Sequence, residues 1–266
     1  MASASLQQRT PAWHAARRGK LTASNIGSVL GLCPWTSRLE ALNRAMGLSK
    51  FEGNDATRWG TAHESDGILA YSAHTGNLVE QTGLHVHPTT TWLAGSPDGL
   101  VGTEGIIEVK CPFYRKKDGT RVHKEVPLYY YMQMQLCLEI TGRKWCDFIS
   151  WHPDTYVVYR VWHDPGLHDS MMPQYIKFFS AMQRMAVTPP PFATGEKDEI
   201  CKQVKASLDG HVDYDYWSAV NPYAPPPSPT SDNTDEDKDI ELRELGIPWW
   251  LGAGGAGPND KRAKYE

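Results

Sequence analysis

The residues richest in chemical possibility lie within 95–112, which read GSPDGLVGTEGIIEVKCP. Asp98, Glu108 and Lys110 fall inside this one run. Two carboxylates beside an ammonium suit a hard divalent cation, because Mg²⁺ takes oxygen ligands, keeps several waters and is commonly held by one or two carboxylates plus a substrate phosphate. The lysine then sits where an attacking water would be. Hydrolysis of a phosphodiester is the chemistry such a set would serve, since it needs charge stabilised on both the attacking and the leaving oxygen.

Turn residues surround these side chains. Pro97-Asp98-Gly99 is one turn, Gly102 and Gly105 bound a second, and residues 106–109 are β-formers, so the spacing predicts a tight hairpin. Alternation along the strand puts Glu108 and Lys110 on a polar face of a half-buried hairpin and Ile107 and Val109 in the core. Asp98, at the end of the neighbouring strand, joins the polar face. Charged alternation of this kind also describes an ordinary solvated face, so the neighbouring elements decide the matter.

Upstream, Thr22-Ala23-Ser24 precedes Ile26, Val29 and Leu30 at helical spacing and reads as a capped helix start. The basic cluster before it contains Arg17, either a solvated surface or a planar fork for an anion. Helices are expected over 36–46, stopped by Gly47, and over 55–74, ended by Gly76. The second contains Glu64 and has Ile68, Leu69 and Tyr71 as its apolar side. Strands follow over 78–80, 83–87 and 92–95, with His85 and His87 as a polar strand face rather than metal ligands. Pro127 opens a helix with Tyr131, Met134, Leu138 and Ile140 on one side, and Gly142 ends it. Gln133 and Gln135 fall elsewhere on its surface. An antiparallel pair over 148–151 and 156–162, a helix over 167–185 and a further helix over 196–217 complete the expected elements.

The 266 residues suffice for one sizeable α/β domain with accessories. No apolar run approaches the roughly 18 residues of a membrane span and no secretion signal is evident, so an intracellular protein is expected, cytoplasmic or nuclear, without a membrane partner. Five scattered cysteines with no C-x-x-C pair argue for reduced thiols rather than disulfides or zinc. The net charge of −4 is uneven, about +3 over 1–192 and −7 over 193–266, a pattern compatible with a DNA-binding body and an acidic tail. The expected division is therefore a catalytic domain over 1–190 and an extension over 191–266, partly helical, then Pro-rich, acidic and disordered. Trp249 and Trp250 form an apolar island there, suited to docking on a partner or back on the body.

Helix, acidic hairpin, crossover helix and strand pair, carrying Asp98, Glu108-Val109-Lys110 and Gln133, resemble the PD-(D/E)XK nuclease fold. The closer resemblance, over 9–187, is to the phage lambda exonuclease and YqaJ-type viral recombinase family. Its pieces are Trp13-His14 with Arg17 and Gly19, Thr22-Ala23-Ser24, Trp59-Gly60 with Glu64, Ser96-Pro97-Asp98-Gly99-Leu100, Glu108 through Phe113, and Tyr131-Met132-Gln133-Met134-Gln135. The resemblance implies a restriction-endonuclease-like α/β core, a mixed β-sheet flanked by helices, with a flexible C-terminal tail. It implies Mg²⁺, with Mn²⁺ as a substitute: Asp98 touches both ions, Glu108 and the Val109 carbonyl hold one, and Glu64 supports the site. Lys110 orients or deprotonates the water, Gln133 fixes it, and Arg17, Ser24 and Ser96 match the family's terminal 5′-phosphate pocket. His63 competes with Glu64 for the site, but adjacent helical residues diverge in direction.

The implied activity is a Mg²⁺-dependent 5′-to-3′ exonuclease on linear double-stranded DNA, working with a single-strand annealing protein, with a ring-shaped homotrimer as the family's common assembly. A structure-specific or restriction-like endonuclease on the same fold is the alternative. A DNA-binding or assembly protein without enzymatic activity is disfavoured by the presence of Asp98, Glu108 and Lys110 together. An iron-sulfur relative would want four cysteines around the core, and the C-terminal side offers only Cys201.

Overall fold

The computed structural model describes residues 6–49, 53–113 and 121–220. The expected Pro-rich and acidic stretch and the Trp249-Trp250 motif lie outside the described residues. In chain order the elements are α1 (Pro11–Arg17), β1 (Leu21–Thr22), α2 (Ala23–Val29), α3 (Arg38–Ala45), α4 (Asp55–Thr75), β2 (Val79–Glu80), β3 (His85–Val86), β4 (Leu93–Gly95), β5 (Gly99–Val101), β6 (Gly105–Lys110), α5 (Leu128–Thr141), β7 (Trp145–His152), β8 (Thr155–Trp162), α6 (Pro165–Gln183), α7 (Glu196–His211) and β9 (Val212–Val220). The α/β class and the mixed sheet flanked by helices are as expected.

Local chemistry sets the ends of the helices that matter for the site. Asn54 and Thr57 form a reciprocal capping box at the start of α4, and Gly76, at φ 72°, ends it in the left-handed region that favours glycine. Gly142, at φ 64°, ends α5 in the same way. Of the residues expected on the inner side of α4, Tyr71 is fully buried while Leu69 points outward, 67% exposed.

Six strands form the main sheet in the order β2-β5-β6-β7-β8-β9. β6 and β7 are parallel, from Gly105 opposite Trp145 to Lys110 opposite Ser150, and α5 makes the crossover that a parallel pair requires. The other pairs are antiparallel. The strands before the hairpin divide. β2 joins the edge of the main sheet, while β4 pairs with β1 on one side and β3 on the other in a separate three-stranded sheet. β1 was not expected; residues 21–22 extend before α2 begins.

The helices cover the main sheet on both faces. Ile106 packs with Phe148, Tyr131, Leu138 and Phe178 in the larger cluster, whereas Ile107, Val109, Ile149 and Trp151 pack with Tyr71 of α4. The expectation of a half-buried hairpin therefore needs correction. Every residue of 105–109 is buried, Glu108 at 2% exposure included, because a parallel central strand is covered on both sides. Close approach sets the depth of α4: a Cβ on Gly67 would lie 2.7 Å from Val109 Cγ1.

The packed body also continues past the expected boundary at residue 190. Ile200, Val204 and Leu208 of α7 belong to the larger core, and β9 adds a sixth strand along β8. The single helix expected over 196–217 stops at His211, where Val212-Asp213-Tyr214-Asp215-Tyr216 alternates apolar and acidic residues with the period of a strand. Burying an aliphatic side chain contributes roughly 1.5–3 kcal/mol. A chain ending at residue 190 is expected to be less stable than one ending at residue 220 by roughly several kcal/mol, read as a lower urea midpoint. Coincident urea curves would restore the boundary at 190.

Candidate active site

The hairpin register places Asp98 across from Glu108, since Gly99 lies opposite Ile107. Asp98 Oδ2 accepts a 2.8 Å hydrogen bond from the Val109 amide, which fastens the carboxylate to the strand that bears its partner. Glu108 Oε1 accepts from both Lys110 Nζ and Gln133 Nε2. Among the described residues, Asp98 Oδ1 and Glu108 Oε2 take no hydrogen bond. Two carboxylate oxygens are thus left open on one face, supported from behind by donors.

Glu64 reaches the same region from α4. Its charge is felt at Asp98, and its carboxylate pairs with Arg9. His63 turns elsewhere, donating or accepting at 2.8 Å with Asp66 and lying against Trp59 and Trp151. Of the two adjacent candidates on this helix, Glu64 is the one that faces the carboxylates.

The electrostatics show what the arrangement lacks. Burial first, and then the charges of Glu108 and Glu64, push the Asp98 carboxyl well above the usual carboxylate range, against the opposing effects of Lys110 and the Val109 amide. Burial works against the charge on Lys110, but Glu108, with Tyr130 and Asp98, outweighs it and raises Lys110 above its ordinary value. Lys110 therefore keeps its proton. Carboxylates held together under strain of like charge, with two open oxygens and no soft donor among them, fit a hard divalent cation.

Tyr130 was missed by sequence reasoning. Its ring lies 4.7 Å from Lys110 Nζ, and it stands one helical turn before Gln133, so both side chains leave α5 on the site's face. Arg9 was missed as well, and no local pattern announces it.

A second group of expected residues also meets. Arg17 Nη2 donates to Thr22 Oγ1 at 3.2 Å and to Ser24 Oγ at 3.0 Å, and its guanidinium lies 4.1 Å from the Trp13 ring. Trp13 Nε1 donates to Ser96 Oγ at 3.0 Å. Thr22 stands at the N-cap of α2, yet its hydroxyl does not cap the helix. Both hydroxyls serve the guanidinium instead. Burial lowers the Arg17 pKa to about 10, and among the described residues Arg17 has no acidic partner. A partly desolvated cation held only by neutral groups keeps a charge that an anion could meet.

His87, Glu139 and His168 form a third cluster, with one ligand atom of each within 4.8 Å of the others. His87 is buried beyond the end of β3 rather than lying on a solvated strand face. Its Nδ1 accepts from the Thr90 amide at 2.9 Å, which places the imidazole proton on Nε2, facing Glu139 at 3.5 Å. A protonated Nε2 is a donor to a carboxylate and has no lone pair for a cation. His87 also stacks on His168 of α6, with ring centroids 5.8 Å apart, so the three side chains pack together where the end of β3, α5 and α6 meet.

The family described as "YqaJ-like viral recombinase domain" matches residues 12–144. An uncharacterized protein of Acanthamoeba polyphaga mimivirus is 27% identical over 164 residues, 56% of this chain and 30% of the relative. A protein of African swine fever virus, Tick/Malawi isolate, is 30% identical over 169 residues, 51% of this chain and 46% of the relative. The chain thus spans less than half the length of these curated relatives. Among solved structures, the alkaline exonuclease LHK-Exo from Laribacter hongkongensis is similar. Its complex with dAMP matches at 29% identity and TM-score 0.56, over 74% of this chain and 99% of that one.

Repulsion at Asp98 has a measurable consequence. A carboxyl whose folded pKa is raised above its unfolded value opposes folding at every pH above that raised value, and the penalty disappears below the ordinary carboxylate pKa. With chelator present, Asp98→Asn is therefore expected to raise Tm near pH 7, with the gain shrinking to nothing toward about pH 3. Thermal unfolding in EDTA across that range checks it. A variant that melts below wild type near neutrality would mean that the bond from Val109 outweighs the repulsion.

Proposed function

The chain belongs to the YqaJ-like viral recombinase family, and from that membership we propose that it is a divalent-metal-dependent 5′-to-3′ exonuclease acting on linear double-stranded DNA. The observation that carries this reading is the continuity of Ser96 and Asp98. Ser96 meets Trp13 of the Arg17 pocket, and two residues on, Asp98 meets Val109 of the carboxylate site. A terminal-phosphate pocket one short step from the hydrolytic site sets the distance from the strand's end to the bond that is cut. An enzyme cutting within a strand has no use for that measurement. The bacterial relative is described as an alkaline exonuclease and was solved with dAMP, a mononucleotide, which supports the same reading.

Asp98, Glu108, the Val109 carbonyl and Glu64 would hold the cation, which would supply charge stabilisation to the attacking and leaving oxygens and ease ionisation of water. Mg²⁺ suits this all-oxygen set, with Mn²⁺ as a substitute. The chain's own side chains do the rest. Gln133 and Lys110 grip Glu108 Oε1 and so turn its other oxygen outward. Lys110, charged, donates a hydrogen bond to the incoming water and orients it rather than taking its proton. Arg17, Ser24 and Ser96 hold the 5′-phosphate through charge-assisted bonds.

A single-strand annealing partner, a ring-shaped homotrimer around DNA and an intracellular setting, cytoplasmic or nuclear, are proposals that follow from the same family reading. Among the described residues, no helix is long and apolar enough to cross a membrane.

Linear duplexes with a 5′-phosphate are expected to be degraded about ten to a hundred times faster than 5′-hydroxyl duplexes, since bonds to charged groups contribute roughly 1.5–3 kcal/mol and each 1.36 kcal/mol is about tenfold in rate. Arg17→Ala should erase most of that preference, and a covalently closed circle should resist. Equal rates on both ends, or ready cutting of the circle, would replace the exonuclease by the endonuclease. Asp98→Ala and Lys110→Ala should each abolish cleavage in the same end-labelled assay, with Lys110→Ala still binding duplex in a mobility-shift gel.

A further inference from the structure

The strap over residues 6–10 is held in place at several points that neither the cation site nor the phosphate pocket accounts for. Gln7 makes an antiparallel bridge with Gly83, where a Cβ would lie 1.8 Å from the Leu6 carbonyl oxygen. Only glycine lets the strap lie so close. Gln8 Nε2 donates to the Pro97 carbonyl at 2.8 Å, between Ser96 of the pocket and Asp98 of the carboxylate set. Thr10 closes the turn, donating to the Gln7 carbonyl at 2.8 Å and accepting from the Trp13 amide at 3.2 Å.

Within this frame Arg9 adopts φ 66°, a left-handed conformation unfavourable for a long L side chain. What it obtains is a contact with Glu64, made with its own side chain 49% exposed. An ion pair so exposed returns little stability, so stability does not explain the strained backbone. The position does. Arg9 stands at the mouth of the acidic site, where an incoming phosphate is repelled by Glu64, Asp98 and Glu108, while Lys110 is taken up by Glu108 and Arg17 by its own pocket.

We propose that Arg9 is a substrate-binding residue whose guanidinium hydrogen-bonds a non-bridging oxygen of the scissile phosphate, with Glu64 positioning it before DNA arrives. The proposal rests on the exonuclease reading. A planar fork suits two phosphate oxygens or one phosphate and one carboxylate together, so Arg9 can take the phosphate while keeping Glu64. It is placed to offset charge on the phosphoryl group as the bond breaks.

The test compares wild type with Arg9→Gly and Arg9→Lys. Glycine accepts φ 66° more readily than arginine, so Arg9→Gly is expected to melt no lower than wild type. Its cleavage of a 5′-phosphorylated linear duplex should nonetheless fall about ten- to a hundredfold. Arg9→Lys, which keeps charge without the fork, should fall between the two. Binding of the same duplex with Ca²⁺ in place of the catalytic ion gives a readout independent of turnover. The slope of log binding constant against log salt should lose about one unit in Arg9→Gly, the signature of one phosphate contact. An unchanged slope with wild-type cleavage, or a rate loss matched by a lower melting temperature with the slope unchanged, would overturn the proposal and make Arg9 a structural latch on Glu64. If wild type itself leaves linear duplex intact, the exonuclease reading fails instead.

Discussion

Repulsion among Glu64, Asp98 and Glu108 is the constraint that the rest of the structure has to satisfy. They arrive from α4, from the residue preceding β5 and from β6, and burial, joined by the charges of the other two, pushes the Asp98 carboxyl well above the ordinary carboxylate range. Left to a flexible chain, such groups would separate into water. Two of them are fixed from behind, Asp98 by the Val109 amide and Glu108 by Lys110 and Gln133, while Glu64 is met by Arg9 at the mouth of the site. The oxygens that remain open are those a cation could use.

That arrangement needs a scaffold whose own contacts do not yield. β6 lies inside the main sheet, with apolar clusters on both faces, so Glu108 cannot swing away without opening the core. The helix that carries Glu64 is fastened to the neighbouring strand by a buried polar network. Tyr71 Oη donates to Asp147 Oδ2 at 2.7 Å, and Arg160 meets both Asp147 oxygens at 2.8 Å. Arg160 itself lies between the Trp145 and Tyr216 rings, at 3.9 and 4.2 Å. Asp147 is completely buried, and a buried carboxylate is tolerated because both oxygens are bound by a fork and a hydroxyl. Breaking such a pair leaves an uncompensated charge, so the network holds α4 against the sheet far more firmly than a surface pair could.

The hydroxyls around Arg17 show how a tertiary contact can override a local preference. Thr22 occupies an N-cap position and Ser24 the first turn of α2, where hydroxyls ordinarily bond backbone amides. Here they bond Arg17. A short extended segment, β1, parallel to β4, aligns Leu21 with Leu93 and Thr22 with Ala94. It thereby brings this hydroxyl pair beside the segment that leads through Ser96 to Asp98.

The sequence by itself determined the short-range features. Turn residues and period-two alternation located the hairpin and put Asp98 at the end of the strand beside Glu108; glycines ended α4 and α5 where expected; and the family resemblance rested on motifs each only a few residues long. What the tertiary structure alone decided depends on contacts between distant segments. Burial of both faces of β6 follows from the parallel pairing with β7 and the crossover of α5, which periodicity on one strand cannot reveal. The direction in which Glu64 and His63 leave α4 depends on how that helix is rotated on the sheet, where Gly67 lies against Val109 and Tyr71 is buried. Residues 212–216 alternate clearly, yet their strand needs β8 beside it, and helix and strand readings compete wherever a short apolar pattern stands alone. Arg9 is the extreme case: no propensity, period or motif marks it, and it becomes a site residue only because the strap bridges Gly83 and Pro97 and so delivers its guanidinium to Glu64. Local pattern depends on neighbours along the chain, whereas a site depends on which distant neighbours the fold brings together, and that second kind of information is not written in any one stretch.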